Sequence, residues 1–395
     1  MKIVEETDID VTGKNWRERK FRFPRRTINL ATTFSGIGAI EYALKYRLGL
    51  DCQIQFAGDI DRNCMQAYQH NYGVSPSIWH TDVRDFHADG YKGKVDLLVG
   101  GAPCQTFSIV GKKLGFEDTR GTLFREYARL IKECEPKVFI FENVQGLYQH
   151  DHGQTWEVIR NTFQDYCGYT IYFRRLNSKN YGIPQHRERL FCVGFKDSVD
   201  FKFPAPDKDP CPYCMYDFLL DYRGGDYYLP EYDAKILTRD YSRVPGLASG
   251  SLVPTFDEFI FKCKDIEDKH YLSATVAKYV LAGGSKGFKT SKETDLRIAR
   301  PLLQSMHKMH RAGVENYVTY NKDKGVDGIR RLAPRECLRL MGFRDDFDQV
   351  VSDTATYMEA GNSIVVDVLI ALLKQMDITK TVTYTHINNT KIIIV

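Results

Sequence analysis

Pro103-Cys104 closes the run VDLLVGGAPC, so a thiol leaves the carboxyl end of an apolar strand, where open α/β sheets bind their ligands. Taken alone, a cysteine is more often an inert, buried small hydrophobe. Its surroundings favour a reactive thiol. The run KVFIF leads into Phe141-Glu142-Asn143-Val144, which presents a carboxyl beside the thiol. Farther on, the stretch NYGIPQHRER brings the guanidinium groups of Arg187 and Arg189 to the same crevice. Just after the cysteine, SIVGKKLGFEDTRGTLF is a long polar stretch able to close as a lid.

A second set of residues reads as a nucleoside site. The first strand runs into Phe34-Ser35-Gly36-Ile37-Gly38 and then a helix-compatible stretch, AIEYALKY. Glycines at a strand-to-helix turn allow tight backbone passage and close approach of a ligand to the helix N-terminus. A plain turn has the same look. The second strand ends in Asp59-Ile60-Asp61, about 20 residues on, where an acid accepts hydrogen bonds from ribose hydroxyls. A helix cap would also use Asp there. Asp82, in HTDVRDF, falls where the third strand should end. Three such signals in register point to a nucleoside cofactor. The absence of GxxxxGK[ST] argues against triphosphate chemistry.

The elements that must position these groups are short β-rich runs. INLATTF (28–34), CQIQFAG (52–58), VDLLVG (95–100) and KVFIF (137–141) alternate with stretches of helical spacing. Each is nearly continuously apolar, as strands buried on both faces are. With further runs at 169–175 and 189–195, the pattern predicts a doubly wound, mostly parallel α/β sheet of six or seven strands. After Phe203 the texture changes to the Pro-rich FPAPDKDPCPYC and then loses its alternation. Helical spacing returns at 334–341 and 363–375. The chain therefore parses into a basic arm (1–26), an α/β domain (27–200), an inserted irregular module (201–329), a return segment (330–379) and a β-like tail (380–395).

Of the 395 residues, 43% are hydrophobic and 27% charged, which argues against disorder and against a fibre. No apolar run approaches the roughly 20 residues of a membrane span. The start, MKIVEETDID, lacks the apolar core of a signal peptide. A cytoplasmic protein with no membrane partner is expected, its ten cysteines reduced. Net charge is only +4, so a nucleic-acid partner must be met by local patches. One candidate is the stretch Lys14 to Arg26, with seven Lys/Arg, which reads as a solvated tail or as an arm on a polyanion. Another runs from Lys286 to Arg311 and also holds seven Lys/Arg, including Lys286, Lys289 and Lys292. Cys211 and Cys214 form a lone CxxC, with Cys263 and His270 at irregular spacing. That is too little for a structural zinc, and no metal is expected.

In these residues the sequence resembles the C5-cytosine DNA methyltransferase family. FSGIG resembles the family's first cofactor motif. GGAPCQTFSIVGKKLGFEDTRGTLF resembles its nucleophile motif and mobile loop. FENV carries its Glu motif and QHRER its Gln-x-Arg-x-Arg motif. RRLAPRECLRLMGF and AGNSIVV resemble the two motifs after the recognition domain. Six motifs in the family's order, over roughly 28–195 and 330–375, are far more specific than any one. Ala102 and Ala333 stand where the family often has other residues. The Thr-Leu pair usual in the recognition domain has Pro301-Leu302 as its nearest counterpart.

The resemblance implies a Rossmann-like methyltransferase fold using S-adenosyl-L-methionine, with 201–329 as target recognition domain. Cys104 would be the nucleophile that adds to C6 of cytosine. Glu142 would hold the N3 and exocyclic amino edge. Arg187 would grip O2, and Arg189 would support Glu142. Phe34 and Ile60 would sandwich the adenine, Asp59 would take the ribose and Asp82 the adenine amino group. Gly36, Gly38, Leu123 and Pro103 would line the methionine part, with Ile37 and Val83 in the same cofactor set. Asn362 and Ser363 would close it. Since C6 is hidden in a duplex, the cytosine must flip out. Gln105 and Ser108 would touch DNA, and Lys112, Lys113 and Arg120 its phosphates. The expected protein is a monomeric DNA (cytosine-5-)-methyltransferase acting on double-stranded DNA. It would be the modification half of a restriction–modification system, whose endonuclease need not bind it. The alternatives are a transfer-RNA methyltransferase, although the Cys-Phe-Thr signature of that branch is missing, and a catalytically dead DNA-binding homologue.

Overall fold

A computed structural model of the chain describes residues 5–12, 15–19, 27–103, 123–197, 199–207, 213–220, 266–285, 288–289, 292–319, 328–376, 383–387 and 390–394. The chain divides into two units, one of Met1–Asn177, Glu188–Pro206 and Val368–Val395, the other of Ser178–Arg187 and Asp207–Asp367. The second unit thus takes in 178–187 and 330–367, where the sequence boundaries fall at 201 and 330.

The first unit is built on seven strands: β1 (Thr27–Thr33), β2 (Asp51–Gly58), β3 (Trp79–His80), β4 (Leu97–Gly100), β5 (Val138–Val144), β6 (Thr170–Asn177) and β7 (Glu188–Phe195). Their order is β3-β2-β1-β4-β5-β7-β6. Every pairing from β3 to β5 is parallel, and β7 runs antiparallel to both neighbours. This is the mostly parallel, doubly wound sheet that the apolar runs predict. The inner strands β4 and β5 are buried on both faces, because helices cover each side. One of those helices, Leu123–Cys134, turns Phe124, Tyr127, Ala128, Leu130, Ile131 and Cys134 inward, the spacing of a single helical face. Phe139, Phe141 and Phe163 join them in an aromatic core. The chain order reverses at β1, which pairs with β2 on one side and β4 on the other. Ligands of open α/β sheets bind beyond the carboxyl ends of strands at such a reversal.

The described part of the basic arm is not a solvated tail. Trp16 is 1% exposed, with the Arg17 guanidinium 4.3 Å from its ring centroid. Asp10 pairs with Arg19 and accepts from Gln375 Nε2 at 2.9 Å, while Ile9 bridges to Phe203. An indole offers far more area to bury than a solvated arm could leave in water. Residues 20–26, the most basic part, lie outside the described residues. The tail forms a hairpin, Thr383–Ile387 against Thr390–Ile394.

Among the described residues, the elements of the second unit are short and include the hairpin Tyr317–Thr319 and Ile329–Arg331, and helices Ala274–Val280, Pro334–Arg339 and Asp353–Asn362. A small apolar cluster of Leu272, Ala277, Val280, Ala312, Tyr317 and Ile329 holds it. Buried polar groups add to it. Arg330 and Glu336 form a fully buried ion pair at 2.9 Å. Glu336 also accepts from the amides of Leu220 and Ala333. A buried pair persists when every lone pair is used in this way. The charges of RRLAPRECLRLMGF are thus structural. Within 353–375 an 18-residue window is apolar enough for a membrane span, and 83% of it is buried.

Candidate active site

The ends of β1 and β4 leave the sheet side by side, since Thr33 is in register with Gly100. After β1 the chain turns sharply. Phe34 has φ 53°, a left-handed conformation uncommon for a bulky residue. Gly36 (φ 53°) and Gly38 (φ 78°) continue the turn. A Cβ on Gly38 would lie 2.3 Å from the Tyr72 ring, so only glycine fits. Tyr72 fixes the turn by donating its hydroxyl to the carbonyls of Ile37 and Gly38.

Ser35 stitches this turn to β2. Its amide donates to the Gly58 carbonyl at 2.9 Å and its hydroxyl accepts from the Gly58 amide. That places Asp59 Oδ2 3.0 Å from the Gly36 amide, while Oδ1 accepts from Asp61 N. Burial pushes the Asp59 carboxyl above its ordinary range, and the Asp61 and Gly36 amides oppose the shift. Beside it Ile60 is 72% exposed, a bare apolar side chain at the strand's carboxyl end. The space a Cβ would fill at Gly36 is open. Open space at Gly36, a carboxylate that can accept from hydroxyls and an exposed apolar side chain at Ile60 suit a nucleoside, so these residues fit that part of S-adenosylmethionine.

Asp82 follows β3 as expected, but Arg84 occupies both its oxygens, at 2.9 Å through Nε and 2.5 Å through Nη2. Those hydrogen bonds hold its carboxyl down to about 2. Val83 and Ile37 turn their side chains into the core, which leaves only their backbone for a ligand. Leu123 is partly buried against the same core and Pro103 is exposed. Asn362 and Ser363 lie in the second unit at the end of helix Asp353–Asn362, the first exposed and the second buried.

At the end of β4, Gly101 lies so close to β5 that a Cβ would meet the Glu142 carbonyl at 2.7 Å. Asn143 donates its side-chain amide to the Ala102 carbonyl at 2.8 Å, and so fixes the backbone two residues before Cys104. Glu142 and Val144 share one face of β5, and Arg189 lies opposite Val144 on β7. A long side chain reaches its diagonal neighbour across such a ladder. Arg189 Nε accordingly sits 3.2 Å from Glu142 Oε1. The guanidinium that accompanies Glu142 is therefore that of Arg189.

Arg187 corrects the expectation that it grips a base. It is 4% exposed, and its Nη atoms donate to the carbonyls of Leu302 (2.9 Å), Gly361 (2.8 Å) and Ser363 (2.9 Å). It precedes β7, so the ladder does not carry it toward Glu142. Cys104, Gln105, Ser108, Lys112, Lys113, Arg120 and Lys286 lie outside the described residues, as does the Lys289 side chain. Lys292 is exposed. Cys214 is buried, which pushes its thiol up and disfavours the thiolate a metal needs. Cys211 and Cys263 are not among the described residues.

Two contributors escape the motif-by-motif reading. Asn143 stands inside FENV, where the Glu motif alone assigns it no role. Glu41, in AIEYAL, is fully buried and accepts from Thr32 Oγ1 (2.9 Å) and the Tyr68 hydroxyl (2.6 Å). Thr32 Oγ1 in turn lies 2.8 Å from Ser35 Oγ, so a polar chain runs from the glycine turn to this carboxyl. An acid among the apolar residues of that helix was its one visible signal.

A sequence profile described as C-5 cytosine-specific DNA methylase matches residues 28–377. The chain belongs to that family. This methylase is 33% identical to the Type II methyltransferase M.NgoBI of Neisseria gonorrhoeae over 88% of its own length and 92% of the relative's. It is 30% identical to the Type II methyltransferase M.HhaI of Haemophilus parahaemolyticus, covering 85% and 90%. It is 28% identical to the orphan methyltransferase M.SPRI of Bacillus phage SPR, covering 88% and 97%. In fold the methylase is similar to the S. pombe Dnmt2 methyltransferase, with TM-score 0.60, 18% identity and coverage of 87% and 96%. A putative DNA modification methyltransferase encoded within an E. coli prophage gives TM-score 0.56 and 21% identity over 88% and 98%. As a member of the family the protein is an enzyme that methylates DNA cytosine at C5. Enzymes of this family and fold depend in general on S-adenosylmethionine.

Proposed function

We propose that this methylase transfers a methyl group from S-adenosyl-L-methionine to C5 of a cytosine flipped out of a specific short double-stranded DNA sequence. The reaction runs through a covalent Cys104–C6 adduct, in the cytoplasm, as the modification half of a restriction–modification system. The observation that carries this reading is the junction of Gly101, Asn143 and Glu142, where the backbone leading to Cys104 is packed against a carboxyl paired with Arg189.

The Cys104 thiolate adds to C6 and pushes the ring's π electrons toward C5, which makes a poor carbon nucleophile into an enamine. Glu142 holds N3 and the exocyclic amino group and offsets the charge that develops there. Arg189 takes O2, because it already stands beside Glu142 with its guanidinium partly exposed. When bound, S-adenosylmethionine supplies the electrophilic methyl. Loss of the C5 proton to a base then returns electrons to the ring and expels Cys104. Phe34, Ile60, Asp59 and the glycine turn hold the nucleoside. Asn362 and Ser363 serve the methionine part by resemblance.

The restriction–modification role rests on relatives described as Type II methyltransferases. Methyl transfer from labelled cofactor to duplex DNA, transfer RNA or neither tests the reading. Bisulfite sequencing of DNA from cells expressing the protein reads the site. Label on transfer RNA alone, or on neither, would overturn the proposal.

A further inference from the structure

Arg187 and Gln185 hold three separate stretches of the second unit together. Gln185 is fully buried, accepts from Leu302 N at 3.0 Å and donates to the Leu340 carbonyl at 2.8 Å. Arg187 takes the other side of the same residue, donating to the Leu302 carbonyl. Leu302 is therefore pinned through both its N–H and its C=O. A second Arg187 nitrogen, Nη2, donates to the carbonyls of Gly361 and Ser363. Close packing reinforces the link, because a Cβ on Gly361 would fall 2.2 Å from Gln304 N. Displacing either stretch breaks buried charge-assisted hydrogen bonds or forces backbone into backbone.

We infer that Arg187 is a positioning residue that couples the target-reading stretch around Leu302 to Gly361-Asn362-Ser363, so that DNA and cofactor bind interdependently. The inference rests on the reading that Asn362 and Ser363 serve the cofactor and that 201–329 meets DNA. A fork of fixed geometry suits the task, since one planar group addresses three carbonyls. A lysine, a point charge on a flexible stem, cannot replace it in full. Coupling of this kind is reciprocal: whatever factor the cofactor adds to DNA affinity, DNA adds to cofactor affinity.

The first test uses the unmutated protein. Adding S-adenosylhomocysteine should slow amide hydrogen exchange at 361–364 and also at 300–304. Protection at 361–364 alone overturns the coupling. Protection at neither overturns the cofactor reading beneath it. The second test compares the protein with Arg187→Lys, using a duplex carrying the site that bisulfite sequencing identifies. In the unmutated protein S-adenosylhomocysteine should tighten duplex binding, and the duplex should tighten cofactor binding, by one factor within the usual range of about 5- to 150-fold. In Arg187→Lys that factor should fall to near one in both directions. A merely structural role would weaken both affinities and leave their coupling intact, and that result overturns the inference. Should the variant fail to fold, the exchange pattern of the unmutated protein decides.

Discussion

Cys104 and Glu41 carry the two predictions at the scale of single residues. Replacing Cys104 by Ser should abolish turnover and leave cofactor binding nearly unchanged, since a neutral hydroxyl is a far weaker nucleophile than a thiolate. Single-turnover kinetics and calorimetry read the two halves, and DNA containing 5-fluorocytosine should trap the unmutated enzyme because fluorine cannot leave as a proton. Substantial turnover by the Ser variant would sink the covalent route. Glu41 governs pH. Burial pushes its carboxyl from 4.5 up to about 7, against the hydrogen bonds from Tyr68 and Thr32. A raised folded-state pKa means that the folded protein keeps a proton the unfolded chain releases. The resulting stability is fully present below about pH 4.5 and is lost as pH rises toward 7. Glu41→Gln keeps an acceptor for Thr32 and Tyr68 and removes the titration. It should flatten the fall in stability across that window, by on the order of 3 kcal/mol. Denaturant melts at pH 4.5, 5.5 and 7 measure it, and an unchanged slope would refute the assignment.

At the scale of elements, the junction of β4 and β5 sets the backbone that leads to Cys104, the proposed nucleophile. Parallel register brings Gly100 beside Phe141, so the chain leaving β4 must pass Glu142 and Asn143. Asn143→Ala would leave the buried Ala102 carbonyl without its side-chain donor, at a cost of about 1–3 kcal/mol. The loss falls on the backbone two residues before Cys104 and not on the glycine turn after β1. The turnover number should therefore drop at least tenfold, a barrier change of about 1.4 kcal/mol, while cofactor affinity stays within about twofold of its starting value. A variant that loses cofactor affinity instead would place Asn143 in the wrong half of the site.

The whole chain is expected to separate chemistry from recognition. Neutralising Lys286, Lys289 and Lys292 should weaken DNA binding and flatten its salt dependence, because fewer counterions are released. Cofactor affinity should not change, since those lysines belong to 201–329 and the glycine turn to 27–200. Exchanging 201–329 for the same module of a relative with another specificity should move the methylated site with it. Bisulfite sequencing of the chimera reads the outcome. A folded, active chimera that still methylates the original sequence would show that recognition lies elsewhere.

Much of this protein is written in local patterns. Continuous apolar runs sufficed for the sheet, because a strand buried on both faces has nowhere to put polar side chains. The glycine turn, Asp59 and the Glu142 strand end were legible for the same reason, since each sits at a fixed offset from such a run. Burial and long-range partnership were not legible. Trp16 lies in a basic stretch that reads as solvated, yet it packs into the first unit. Arg187 and Arg189 are equivalent in QHRER, two residues apart with the same chemistry. Only the ladder, which starts at Glu188, turns Arg189 toward Glu142 and leaves Arg187 to carbonyls more than a hundred residues away. Spacing along the chain sets which face a side chain can take, and the partner across the fold decides what it does there.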